Sequence, residues 1–144
     1  MRVLFIMLLF FPSAFFLNHE FIDPTGTYIL KGTIEKNTIN GLNGEIKVKL
    51  LEEKKVALSF NVNNGYPKFE RAFFSDTIVY ADNFAEYHSK IDLDCAIIFQ
   101  FSKKTVDILF LHSDPYCSCG FEKGLIVPAS FEKSSADIPL LKNN

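Results

Sequence analysis

The chain has 144 residues and a mass of 16.4 kDa, enough for one hydrophobic core and too little for two. Apolar residues at 48% and charged residues at 22% are ordinary globular fractions, which excludes a disordered, collagen-like or long coiled-coil protein. The formal net charge is −2, and −3 without the first 17 residues, so the basic balance of an electrostatic nucleic-acid binder is absent.

Residues 1–17, MRVLFIMLLFFPSAFFL, join the single charge of Arg2 to an apolar run over 3–11 and small residues at Ser13 and Ala14. That is the layout of a secretory signal peptide. A retained membrane anchor would need about 20 apolar residues, whereas Pro12 interrupts early and Asn18, His19 and Glu20 end the segment. Cleavage is expected after Ala14, Leu17 or Asn18, with Pro12 a poor fit to the first of these. The leader has no cysteine to accept a lipid. Its removal leaves 127 residues, and 18–144 is expected to be a single β-barrel-like domain, periplasmic or extracellular, without a stable membrane span.

From Thr27 onward apolar side chains recur at every second position, the period of a strand with one wet face. Tyr28, Leu30 and Ile34 form one such set, Ile46, Val48 and Leu50 a second, and Val56, Leu58, Phe60 and Val62 a third. Turn clusters are read at 40–44, where Asn43-Gly44 offers positive φ, and at 52–54, 63–67 and 102–104. Further strands follow around Ile78 and Tyr80, then over 84–88, 93–101 and 105–112, with a last one over 125–132 interrupted at Pro128. Only 69–74 is a candidate for a short helix. One-sided strands joined by short turns predict an all-β protein of about eight or nine strands in up-and-down antiparallel order, a barrel in preference to a two-layer sandwich. Whether its interior is packed or forms a ligand cup is left open.

Cysteines stand at 95, 117 and 119. In an exported chain a disulfide is expected, and residues two apart in extended chain do not bridge readily, which leaves Cys95 with Cys117 or with Cys119. His112, Asp114 and Tyr116 lie near Cys117, but crowding along the sequence does not make a catalytic constellation. His112, Cys95, Cys117 and Cys119 would also make a zinc ligand set, yet C-x-C is a poor knuckle and export favours a disulfide over thiolate ligation. No metal or other cofactor is therefore expected.

Asp92 and Asp94 alternate on a strand and read as solvated acids, with no glycine-anchored calcium loop around them. His19 and His88 read as surface residues. The chain lacks G-x-S-x-G, H-E-x-x-H, a phosphate-cradling glycine loop and a dinucleotide fingerprint, and no catalytic residue is assigned. Most phenylalanines sit at inward positions, but Tyr66, Lys68, Phe69, Phe73 and Phe74 fall where the alternation is poor. These residues, with His112 and with Asp114 and Tyr116 of the 113–124 loop, are the candidate binding residues.

Gly26-Thr27-Tyr28, Asn83-Phe84-Ala85-Glu86-Tyr87, Cys95 followed by Ile97 and Phe99, and Cys119-Gly120-Phe121 occur in an order that resembles a group of small exported bacterial proteins, mostly uncharacterised. These carry a C-terminal C-G-F-G-like motif, in which Glu122 here replaces the second glycine; Ser130-Phe131 stands where Gly-x-Tyr would follow. The resemblance spans 26–131 and implies a β-rich fold and a Cys95–Cys119 bridge, leaving Cys117 unpaired. It implies no activity.

The leading expectation is a non-catalytic exported binding protein, an inhibitor or immunity factor acting on a secreted or periplasmic enzyme. It rests on architectural analogy with small stapled barrels that act against wall-degrading enzymes. The alternatives are a carrier holding a small apolar ligand in the barrel, and a secreted hydrolase. A protein partner or a small apolar ligand, and no nucleic acid, is thus expected.

Overall fold

A computed structural model describes residues 20–52, 54–112 and 118–141. The leader expected over 1–17, and Asp114, Tyr116 and Cys117, lie outside the described residues. Nine strands follow in chain order: β1 (Gly26–Leu30), β2 (Thr33–Glu35), β3 (Thr38–Leu51), β4 (Lys55–Gly65), β5 (Arg71–Ala81), β6 (Phe84–His88), β7 (Cys95–Phe101), β8 (Thr105–His112) and β9 (Ala129–Ser135). No helix occurs among the described residues, so none there is long and apolar enough to cross a membrane. All strand pairs are antiparallel, and β1 pairs with both β3 and β9, which closes eight strands into an up-and-down barrel. Closure removes most of the free edge that a sandwich would leave, and the β5–β6 junction, at two residue pairs, is its shortest ladder.

The ninth strand, β2, pairs only with the start of β3: Thr33↔Asn40, Ile34↔Ile39 and Glu35↔Thr38. The β2–β3 hairpin therefore runs on past the end of the β3–β4 ladder at Asn43↔Asn63. Its turn is Lys36-Asn37, with φ of 48° and 63°, the two positive values that a tight two-residue hairpin requires. Asn43-Gly44 is not a turn, contrary to expectation, but lies within β3. A Cβ on Gly44 would sit 2.2 Å from the Asn61 carbonyl oxygen, so glycine here permits close strand approach. Asn43 and Asn63 lock the same point by exchanging amide hydrogen bonds of 3.0 and 2.9 Å.

Four further corrections concern boundaries. Residues 69–74 form no helix, and β5 begins at Arg71. β7 starts at Cys95; Leu93, included in the strand read over 93–101, and Ile91, which shares the two-residue period of Cys95, Ile97 and Phe99, lie in the preceding loop and are over 80% exposed. The last strand begins after Pro128 instead of running through it, because proline has no N–H for the ladder. Ile34, grouped with the inward set, is exposed because the chain breaks after Leu30 and β2 leaves the barrel wall.

Inside, the alternation closes a filled core. Phe60 is its hub, with the rings of Phe74, Phe99 and Phe131 at 5.2, 6.0 and 6.5 Å. Tyr28 and Tyr80 pack against Phe101 at 5.8 and 5.6 Å. Fully burying such a side chain contributes about 1.5–3 kcal/mol, and Tyr28, Phe60, Phe99 and Phe131 are wholly buried.

Strand direction sorts the connections between the two ends of the barrel. One, the strap end, has the end of β3 and the start of β4, the turns at 82–83 and 102–104, and is crossed by residues 20–25. The other, the hairpin end, has the β2–β3 hairpin, the 66–70 turn, the 89–94 loop and residues 118–128 leading into β9.

Candidate functional site

At the hairpin end, the 66–70 turn is fastened to its neighbours by main-chain bonds. Tyr66 N donates to Ile39 O and Phe69 N to Gly65 O, each at 2.8 Å. Gly65, with φ of 67°, lies so close to β3 that a Cβ would sit 2.4 Å from Ile39 O. Asn64 Nδ2 donates to Glu70 Oε2 at 2.7 Å, while the buried Asn64 Oδ1 has no partner. The Tyr66–Pro67 peptide is cis. On this rigid turn the rings of Tyr66 and Phe69, 58% and 60% exposed, meet edge to face at 6.2 Å. Phe69 holds φ of 53°, the left-handed region that suits glycine.

An outer groove of about 620 Å³ lies beside the turn. Ile34, Ile39 and Phe69 supply apolar walls, and the polar lining comes from Asn43, Asn61, Asn63 and Arg71 together with the charged Lys31 and Glu45. The Asn43–Asn63 pair is engaged in its own reciprocal bonds, and Arg71 Nε donates to Asn61 Oδ1 at 2.9 Å, which fixes the guanidinium plane. These amides and the guanidinium thus hold one another across β3, β4 and β5.

The other side of this end is stapled. Cys95 and Cys119 are disulfide-bonded, with Cα atoms 5.1 Å apart, as the resemblance implied. The buried Ser89 reinforces the staple: its Oγ donates to Cys119 O at 3.0 Å and accepts from Ile91 N and Asp92 N at 3.2 and 3.0 Å. Asp92 and Asp94 stand in this loop, not on a strand.

Of the expected loop residues, Tyr66, Lys68 and Phe69 come together on the exposed turn, and Phe73 is half-exposed on the outer face of β5. Phe74 is a correction: it points inward, 8% exposed, with Tyr87 stacked on it at 3.8 Å, because β5 resumes the two-residue period. His112 ends β8, away from this turn. Sequence reasoning missed Ile34, Ile39 and Arg71. The two isoleucines flank a turn that lacks glycine, and Arg71 gives no periodic signal.

Groups with displaced ionisation belong to the opposite end and the core. Burial pushes the Tyr80 hydroxyl up to about 12, and raises Tyr28 strongly, each with a smaller push from Asp23. Burial also raises Tyr87. Tyr80 Oη donates to Ile22 O at 2.6 Å and Tyr28 Oη to Pro24 O at 2.9 Å, so these phenols anchor the strap. Among the described residues no group of three or more His, Cys, Asp or Glu side chains is placed to hold a metal ion.

No family model, curated protein sequence or solved structure matches the chain.

Proposed function

We propose that the chain is a non-catalytic exported binding protein that docks a partner protein on its hairpin end, as an inhibitor or immunity factor of a secreted or periplasmic enzyme would. The observation that carries this reading is Phe69. An aromatic side chain, 60% exposed and held at positive φ, contributes little to the fold and costs about 1–2 kcal/mol in backbone strain relative to the right-handed region. Its placement beside Tyr66 and the apolar groove walls makes an exposed anchor on a rigid turn, the form in which interfaces concentrate binding energy. The ring-filled interior favours a surface role over the carrier alternative. The disulfide is consistent with export.

The test is affinity capture from periplasmic or culture fluid with the disulfide-intact protein as bait, alongside a Tyr66→Ala/Phe69→Ser double variant. The expected result is an enzyme retained by the parent, inhibited by it, and lost with the variant at unchanged unfolding midpoint. Equal capture by both proteins, or co-purification of a lipid or pigment alone, overturns the reading.

A further inference from the structure

Only two residue pairs, Tyr80↔Ala85 and Ala81↔Phe84, join β5 to β6. Beyond them residues 71–79 of β5 each pair with β4, and none pairs with a strand on the other side among the described residues. Tyr80 N donates to Lys54 O at 2.8 Å, which sets the phase of the β4–β5 ladder. By alternation Phe74, Asp76 and Ile78 turn their main-chain groups toward β4, and Phe73, Ser75, Thr77 and Val79 turn theirs into the seam. A groove of about 700 Å³ follows it, lined by Thr77 and Val79 on one side and Phe84, Glu86 and Ile98 on the other. The stacked rings of Phe74 and Tyr87, 3.8 Å apart, belong to the core behind it.

Natural edges are blunted by proline, lysine or inward-pointing charges. Residues 71–79, RAFFSDTIV, carry neither proline nor lysine, and their inward acid Asp76 is paired with Lys90 at 3.3 Å. Across the seam Glu86 Oε1 lies 3.2 Å from His88 Nε2. Asp76 Oδ1 also accepts from Thr77 N at 2.8 Å, so the seam offers the main-chain groups of Phe73, Ser75 and Val79 and the Thr77 carbonyl between apolar side chains. We infer that it is a docking site for an extended, uncharged peptide segment of a partner, which adds to β5 as an antiparallel strand. Main-chain bonds supply the affinity in this mode, and alternate apolar residues of the incoming strand meet Val79, Phe84 and Ile98. The inference is independent of the hairpin-end reading and stands or falls without it.

The probe is a capped peptide, Lys-Thr-Val-Thr-Val-Thr-Val-Lys, added to the full, disulfide-intact chain and followed by amide hydrogen exchange and NMR shifts. In the free protein the amides of Phe73, Ser75 and Val79 are expected to exchange about 100-fold or more faster than those of Phe74, Asp76 and Ile78, with Thr77 between the two sets because its N–H is held by Asp76. The peptide should slow the first set and shift its resonances. Of two peptides N-methylated on alternate amides, one should bind at least about tenfold more weakly and the other nearly as the parent, since only one peptide edge faces β5. Equal protection of the two sets without peptide means that the chain covers its own edge and overturns the inference. So does protection of the seam set that falls on dilution, the sign of a second copy, or equal binding by both methylated peptides.

Discussion

At the strap end, residues 20–25 cross the rim with their polar groups engaged. Asn83 Nδ2 donates to Glu20 O and its Oδ1 accepts from Ile22 N, both at 2.9 Å, while Tyr80 and Tyr28 donate to Ile22 and Pro24 carbonyls. The hairpin end is held just as firmly, by the disulfide, Ser89 and the main-chain bonds of the 66–70 turn, yet it leaves Ile34, Ile39, Tyr66, Phe69, Ile91 and Leu93 in water. Two rigid ends of one barrel thus differ in what they do with side chains. One turns Tyr28, Tyr80 and Asn83 inward to close the core, with Phe21 of the strap left exposed, and the other turns a cluster of apolar groups outward on hydrogen-bonded loops. That asymmetry separates a closing device from a presenting one.

Removing the staple should give the largest effect. With Cys95 and Cys119 separated by 24 positions, a Cys95→Ala/Cys119→Ala variant is expected to lose about 3–4 kcal/mol in the chain-entropy account. Denaturant unfolding measures the loss, and hydrogen exchange locates it. Ser89, Ile91 and Asp92 amides should open early while Ile22 stays protected to global unfolding. Equal loosening at both ends would break the comparison.

Asn83→Ala is the corresponding lesion at the strap end. It deletes the bonds to Glu20, Ile22 and Tyr80 and places alanine at φ of 68°, so about 2–4 kcal/mol should be lost. Proteolysis near residue 22 should rise with no change at the 66–70 turn.

Most of the barrel was legible because a buried face repeats every two residues. The strands at 84–88 and 105–112 have the expected bounds, and Val56, Leu58, Phe60 and Val62 point inward as read. The failures have a common cause. Ile34, Ile91 and Leu93 keep the apolar period after the chain has left the wall, and periodicity does not report where a wall ends. Asn43-Gly44 reads identically for a hairpin turn and for a glycine pressed against β4; only the neighbouring strand distinguishes them. At the candidate site, Tyr66, Lys68 and Phe69 were legible as a break in alternation. The groove was not, because it joins β2, β3, β4 and β5 across the outer surface.

A smaller effect, centred on the strap end with a further contribution from the buried Tyr87, should appear at alkaline pH. Tyr28 and Tyr80 are held protonated in the folded chain, with Tyr80 near 12 against an ordinary 10.0. Well below pH 10 both states carry the phenolic protons and the contribution of these tyrosines to stability is flat in pH. From about 10 to 12 the unfolded chain releases them first, so stability falls as pH rises. Tyr80→Phe should cost about 1 kcal/mol at neutral pH through the lost hydroxyl bonds, and should flatten part of that alkaline decline. Denaturant midpoints between pH 8 and 12 measure both, about two pH units either side of the ordinary phenol value.

The smallest expected change in stability sharpens the comparison most. Phe69→Gly removes an exposed ring and relieves a left-handed backbone, but gives the unfolded chain more freedom. These terms nearly offset, leaving stability unchanged or raised by up to about 1 kcal/mol. If the hairpin end presents this ring to a partner, the same substitution should abolish inhibition and capture. A variant that folds as well or better and no longer binds would separate the presenting end from the closing one in a single side chain. A clear loss of stability would instead show Phe69 bracing the turn, and would leave the two ends alike.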